Sequence, residues 1–193
     1  MATTKSSTRR DVVTRVRRQH DTIRRLFDDV EAASPARRAE AFQPLVRLLA
    51  VHETAEEMVV YPALVLAGSE ARAIVRARKV EEDLAKKQLA ELEGLDAGSR
   101  AFLPRLRAFR AEVEAHAEAE EAEVLPLLDE HRAAHELRLM DLWFVTAETV
   151  APTHAHRFAP ESAAGNLFLG PAVALVDRVR DMLATTPTTR TRR

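Results

Sequence analysis

Residues 52–62 read HETAEEMVVYP, and residues 116–126 read HAEAEEAEVLP, so a histidine and a glutamate four positions apart appear twice, each pair followed by a proline. On an α-helix that spacing sets both side chains on one face. At about 100° per residue, His52 and Glu56 fall among Leu45, Leu48, Leu49 and Val59, the apolar face of their helix. His116 and Glu120 fall among Phe109, Val113, Val124 and Leu127, and on an earlier helix His20 shares its sector with Val16, Ile23 and Phe27. Three imidazoles and two carboxylates are thus aimed at one helical core. Left unpaired in a dry interior, such groups cost roughly several kcal/mol. One way to satisfy them is an ion pair inside each helix. Two equivalent pairs, a further histidine on another helix and no matching inward Arg or Lys favour the other way, a metal site.

The chain of 193 residues suffices for one main domain with a substantial core. It is 46% hydrophobic and 31% charged with five glycines, and Ala, Leu, Glu and Arg dominate, which points to an all-α fold. A net charge of −1 gives no global field toward nucleic acid or an anionic membrane. The basic strip at Arg9, Arg10, Arg15, Arg17 and Arg18 lacks interleaved aromatics, so no nucleic-acid partner is expected. With no cysteine, thiolate metal sites, iron–sulfur clusters and thiol nucleophiles are excluded, and any metal is held by nitrogen and oxygen. The start, MATTKSSTRRDVV, has no signal-peptide core and no run is long enough for a bilayer, so a cytoplasmic protein without a membrane partner is expected.

Apolar periodicity predicts a helix from Asp11 to about Ala33, broken by Ser34-Pro35. A second, over 36–60, carries Phe42, Leu45, Leu48, Leu49, Val59 and Val60 inward until Pro62 interrupts it. A third, over 69–92, is expected to bury Ile74, Ala77, Val80, Leu84, Leu89 and Leu92; a fourth, over 99–131, Leu103, Leu106, Phe109, Val113, Val124 and Leu127. Short connections make an up-down-up-down four-helix bundle over 10–131 the economical architecture. Residues 132–185 are expected to form a helical extension packed on the bundle, with an irregular wrap over 151–170 anchored by Phe158, Leu167 and Phe168. Residues 1–9 and 186–193 read as disordered tails.

Two patterns narrow the chemistry. His52-Glu53-Thr54-Ala55-Glu56 starts like the zinc-protease motif but has glutamate where its second histidine belongs. The ferritin-like motif Glu-x-x-His is reversed in order and one residue shorter. Imidazole and carboxylate suit iron, manganese or zinc, and two carboxylates able to bridge favour a dinuclear centre.

His20, His52-x-x-x-Glu56 with Tyr61-Pro62, and His116-x-x-x-Glu120 with Leu125-Pro126 resemble the hemerythrin-like cation-binding family over roughly residues 10–131. The resemblance implies a non-haem di-iron centre with Glu56 and Glu120 bridging and His20, His52 and His116 as terminal ligands. It also implies a small diatomic or peroxide ligand. Family members usually add one or two histidines from the third helix, and ARAIVRARKVEEDLAKKQLAEL has none. Glu81, at the middle of that helix's expected apolar face, is the substitute this reading selects. Glu82, about 100° round, is the alternative, and the family's usual histidine aligns nearer to it. Tyr61 is a candidate hydrogen-bond donor to a ligand or to bound oxygen.

An anionic carboxylate in place of a neutral imidazole stabilises ferric over ferrous iron. That weakens the case for reversible oxygen carriage and strengthens the case for oxidative chemistry such as peroxide breakdown, or for redox or gas sensing. The function expected is binding, sensing or detoxification of oxygen, peroxide or nitric oxide. The alternatives are a peroxide-decomposing or other oxidative di-iron enzyme, and a metal-free structural bundle. His131, His135, His154 and His156 are assigned no ligand role.

Overall fold

The computed structural model describes residues 10–151, and every element in that span is helical. Helix α1 (Val12–Ala32) starts where the Asp11 carboxylate accepts a hydrogen bond from the Thr14 backbone N–H at 3.0 Å. It ends before Pro35, which opens α2 (Pro35–Ala55) at a position where its missing N–H costs nothing. Buried Arg38 closes that corner, donating to the carbonyls of Ala33 at 3.1 Å and Ala97 at 3.0 Å.

Pro62 does not interrupt the second rod. Helix α2 passes through a π-helical turn, Glu56–Val60, into α3 (Tyr61–Val65). The fifth helix repeats the device: α5 (Phe102–Ala119) runs through a π turn, Glu120–Val124, into α6 (Leu125–His131), with Pro126 in the matching place. Proline has no N–H to offer the carbonyl four residues back, and its ring collides with that carbonyl. One extra residue in the turn relieves the collision, and the N–H groups of Tyr61 and Leu125 reach five residues back to the carbonyls of Glu56 and Glu120. Such single-turn bulges recur at functional sites.

Between these rods, α4 (Ser69–Glu93) follows Gly68, whose φ of 136° is a conformation that favours glycine. Short turns make consecutive rods antiparallel, giving an up-down-up-down bundle of α1, α2–α3, α4 and α5–α6. Helix α7 (Ala134–Val150) adds a fifth rod, its Leu137, Met140, Phe144 and Ala147 buried against the bundle. No helix among the described residues is long and apolar enough to cross a membrane. The expected tails, the wrap over 151–170 beyond Ala151, the last helix, His154 and His156 lie outside the described residues.

The inner face of α4 is turned from the expected one. Ala71, Val75, Arg78, Glu82, Leu89 and Leu92 are buried, whereas Val80 is 69% and Leu84 50% exposed, and Ala77 is exposed too. The true stripe runs through an arginine and a glutamate, so counting apolar residues selected a neighbouring face.

Two apolar cores result. One gathers Val12, Val16, Met58, Leu64, Leu128 and Phe144; the other Phe27, Phe42, Leu45, Leu92, Phe102 and Phe109. On α1 the first stops at Val16 and the second resumes at Ile23, and on α4 they stop at Val75 and resume at Leu89. The gap between them is polar. Phe144→Ala, which empties a fully buried site on α7, should lower stability by about 3–5 kcal/mol in urea unfolding of the full chain. A loss below about 1 kcal/mol would show that α7 does not pack there in solution.

Candidate metal centre

The polar gap is filled by His20 from α1, His52 and Glu56 from the second rod, Glu82 from α4, and His116 and Glu120 from the α5–α6 rod. His20, Glu56, Glu82 and Glu120 are all but sealed from solvent, and the His116 side chain is 14% exposed. Their ligand-type atoms form two groups, each within 4.8 Å of one another: His20, His52, Glu56 and Glu120; and Glu56, Glu82, His116 and Glu120. Glu56 and Glu120 belong to both. Glu120 Oε2 lies 3.3 Å from His20 Nε2 and 3.6 Å from His116 Nε2, and Glu56 Oε2 lies 3.3 Å from His52 Nε2.

Within this cluster, His20 Nε2, His116 Nε2, both oxygens of Glu56, Glu82 Oε2 and Glu120 Oε2 are buried without a hydrogen-bond partner. Buried polar atoms are normally satisfied. That so many lie together in these two overlapping groups fits the binding of cations by their lone pairs. The buried arginines supply no such charge: Arg38 is spent on carbonyls at one end, and Arg78 donates to Glu81 at 2.7 Å outside the cluster. Lys86 approaches Glu82 Oε2 only to 3.9 Å and pairs with Glu57.

The three imidazoles are braced from behind. His20 Nδ1 meets Glu121 Oε1 at 3.0 Å, His52 Nδ1 meets Gln19 Oε1 at 2.7 Å, and His116 Nδ1 meets Glu81 Oε2 at 2.8 Å. Each partner oxygen accepts, so each ring carries its proton on Nδ1 and turns a bare Nε2 inward, the form that binds metal. Glu81, expected as the inward ligand, is therefore on the outside: its side chain is 42% exposed, while Glu82 is buried in the cluster. The physical reason is the rotated face of α4.

Glu121 and Gln19 carried no ligand-type signal of their own, and Glu121 reads as part of a solvated acidic run. A positional signal exists nonetheless. Every brace is the chain neighbour of a cluster residue: Gln19 of His20, Glu81 of Glu82, Glu121 of Glu120. A step of about 100° moves a side chain from the inner face to its edge, where it meets the adjacent rod. Tyr61, buried at the end of its π turn, reaches Glu82 Oε1 at 2.5 Å and Glu120 Oε1 at 2.7 Å, so it holds two cluster carboxylates from one hydroxyl. His131, His135 and Glu123 are exposed.

Burial, and then the charges of Glu120 and Glu82, push Glu56 well above the usual carboxylate range; burial, with Glu53 and Glu57, does the same to Glu82. Glu120 goes the other way. Burial opposes its charge, but a hydrogen bond from His20 and the positive charge of the imidazoles when they are protonated outweigh it and hold the carboxyl at about 2. His52 is lowered to about 3 by burial and by its histidine neighbours, so it is neutral near pH 7. Burial raises Glu53 to about 8 and the Tyr61 phenol far above its normal value, so both keep their protons. A cavity of about 320 Å³ leads from the half-exposed Leu84 to His20, His52, His116 and Glu53, walled by Ile23, Leu49 and Val113.

Residues 11–128 match the family model described as hemerythrin HHE cation binding domain. An uncharacterized hemerythrin-like protein of Schizosaccharomyces pombe is 27% identical over 172 residues, spanning 88% of this chain and 85% of the relative. A solved hemerythrin HHE cation binding domain-containing protein from Mycobacterium kansasii superposes with a TM-score of 0.62 at 19% identity, covering 88% of this chain and 98% of that one. It supports the fold.

The shifted carboxyls set a pH dependence for the metal-free chain. Glu53, Glu56 and Glu82 have folded values above their unfolded value of 4.5, so the stability they contribute is complete below that value and is lost as pH rises through the folded one. His52, depressed from 6.5, works in the opposite sense, but only below pH 6.5. From pH 6.5 to about 8 the carboxyls act alone. The melting temperature of the metal-free protein should therefore fall across that window, followed by circular dichroism, and a rise would contradict these protonation states.

Proposed function

Because this chain belongs to the hemerythrin HHE cation-binding family, we propose that it holds two iron ions in a dinuclear non-haem centre and uses them on a small ligand of the oxygen, peroxide or nitric oxide class. The observation that carries the reading is the pair of ligand groups sharing Glu56 and Glu120. One position would draw on His20 and His52, the other on Glu82 and His116, with the shared carboxylates bridging. Iron in such a centre supplies binding and electron transfer to small oxygen-bearing ligands that side chains alone lack.

The chain's own residues do the rest. Two apolar cores above and below the cluster exclude water, which strengthens every charge interaction inside. Tyr61 fixes the orientation of Glu82 and Glu120. The apolar cavity admits a small ligand to the inward imidazoles, and Glu53 on its wall keeps a proton at neutral pH. The second position is richer in carboxylate than the first, which favours ferric iron there. That supports peroxide breakdown as a second reading over reversible carriage of oxygen. The same donors accept manganese or zinc, so metal identity is part of the test. A cytoplasmic setting is proposed with it.

The protein purified aerobically without an affinity tag should contain about two irons per chain, with ferric bands in the near-ultraviolet and visible spectrum. Glu120→Ala, which removes a shared carboxylate, should abolish binding of both ions, whereas Glu82→Ala should retain about one. Two irons in Glu120→Ala would sink the arrangement. No metal in the wild type after anaerobic iron loading would mean the bundle is structural.

A further inference from the structure

Two of the inward imidazoles are braced by carboxylates, and the third by an amide. A carboxylate only accepts hydrogen bonds, so Glu121 and Glu81 dictate a proton on Nδ1 of His20 and His116. Gln19 imposes no such condition by itself. A half-turn of its amide would present N–H groups to His52 in place of the carbonyl, and the ring would then have to carry its proton on the inward nitrogen. Glu148, on α7, removes that freedom. Gln19 Nε2 donates to Glu148 Oε1 at 2.5 Å, so the amide nitrogen is turned away from His52 and the amide oxygen toward it.

We propose that Glu148 is a positioning residue for the metal centre, fixing the tautomer and ring orientation of His52 through Gln19. Helix α7, which lies beyond the matched residues 11–128, is thereby part of the site. Its attachment does not depend on this contact. Leu137, Met140, Phe144 and Ala147 are buried, and Arg15 Nε pairs with Asp141 Oδ1 at 2.5 Å. Glu148 is 21% exposed and Gln19 partly buried, so water competes weakly for their hydrogen bond. The consequence for metal rests on the dinuclear reading above, but the tautomer is a property of the metal-free chain.

Long-range proton–nitrogen correlation spectra of the metal-free, full-length protein should show His52 protonated on Nδ1. Glu148→Ala should give a mixture of tautomers. In a Co(II) titration followed by visible absorption, the same variant should lose about tenfold to a hundredfold in affinity at one of two positions and leave the other unchanged. Asp141→Asn, which weakens the pairing of α7 with Arg15, should change neither readout. The exchange Gln19→Glu with Glu148→Gln keeps both hydrogen bonds, with the carboxylate now next to His52, and should restore affinity to within about threefold.

An unchanged tautomer and affinity in Glu148→Ala would overturn the proposal, as would an equal loss in Asp141→Asn, because the effect would then be one of docking. If the wild type binds no Co(II) while Glu148→Ala still shifts the tautomer, the dinuclear reading fails and the positioning role stands.

Discussion

Three carboxyls and three imidazoles sit in one layer of this bundle with apolar packing above and below, and removing that many polar groups from water governs everything around them. Without a cation, burial pushes Glu56 and Glu82 toward their protonated forms, and Glu120, among the imidazoles, is pushed the other way. A buried cluster in this state is under-satisfied, as its orphaned inward atoms show. Bound cations would replace those protons and use the lone pairs, so the same desolvation that burdens the layer would sharpen its affinity for metal.

Geometry then follows from the need to hold six side chains on one centre. Each histidine is pinned at its far nitrogen by a residue from another rod: α1 braces the second rod through Gln19, α4 braces α5 through Glu81, and Glu121 braces α1. The rods are thus cross-tied at the level of the site, where apolar packing is interrupted. Tyr61 adds a tie across two further rods by meeting both Glu82 and Glu120. Ligand placement and bundle integrity are here the same set of hydrogen bonds.

Much of this was legible in the sequence. The duplicated His-x-x-x-Glu segments, His20 in the sector of Ile23 and Phe27, and the turn signal at Ser34-Pro35 were enough for the helical bundle and for most of the side chains that converge. The register of α4 was not. Hydrophobic counting assumes that what is buried is apolar, and on α4 the inward stripe passes through Arg78 and Glu82 while Val80 and Leu84 face out. The polar residues of the site thus interrupt the apolar stripe of α4. Pro62 reads as a break because a proline ends an α-helix unless the turn before it takes up an extra residue. Only the backbone shows that it does. The Gln19–Glu148 link joins positions far apart in the chain and leaves no periodic trace.

The two π turns, each opening on a shared glutamate and each followed by a proline, have a further meaning. Helices α1 and α2 with α3 form one hairpin, α4 and α5 with α6 another, and their second rods carry histidine, glutamate, π turn and proline at the same relative places. On the first rods the counterparts are His20 and Glu82. The bundle thus uses one hairpin plan twice. The two ligand groups differ in an imidazole on one hairpin where the other has a carboxylate, and in what braces the histidine of each second rod, an amide behind His52 and a carboxylate behind His116.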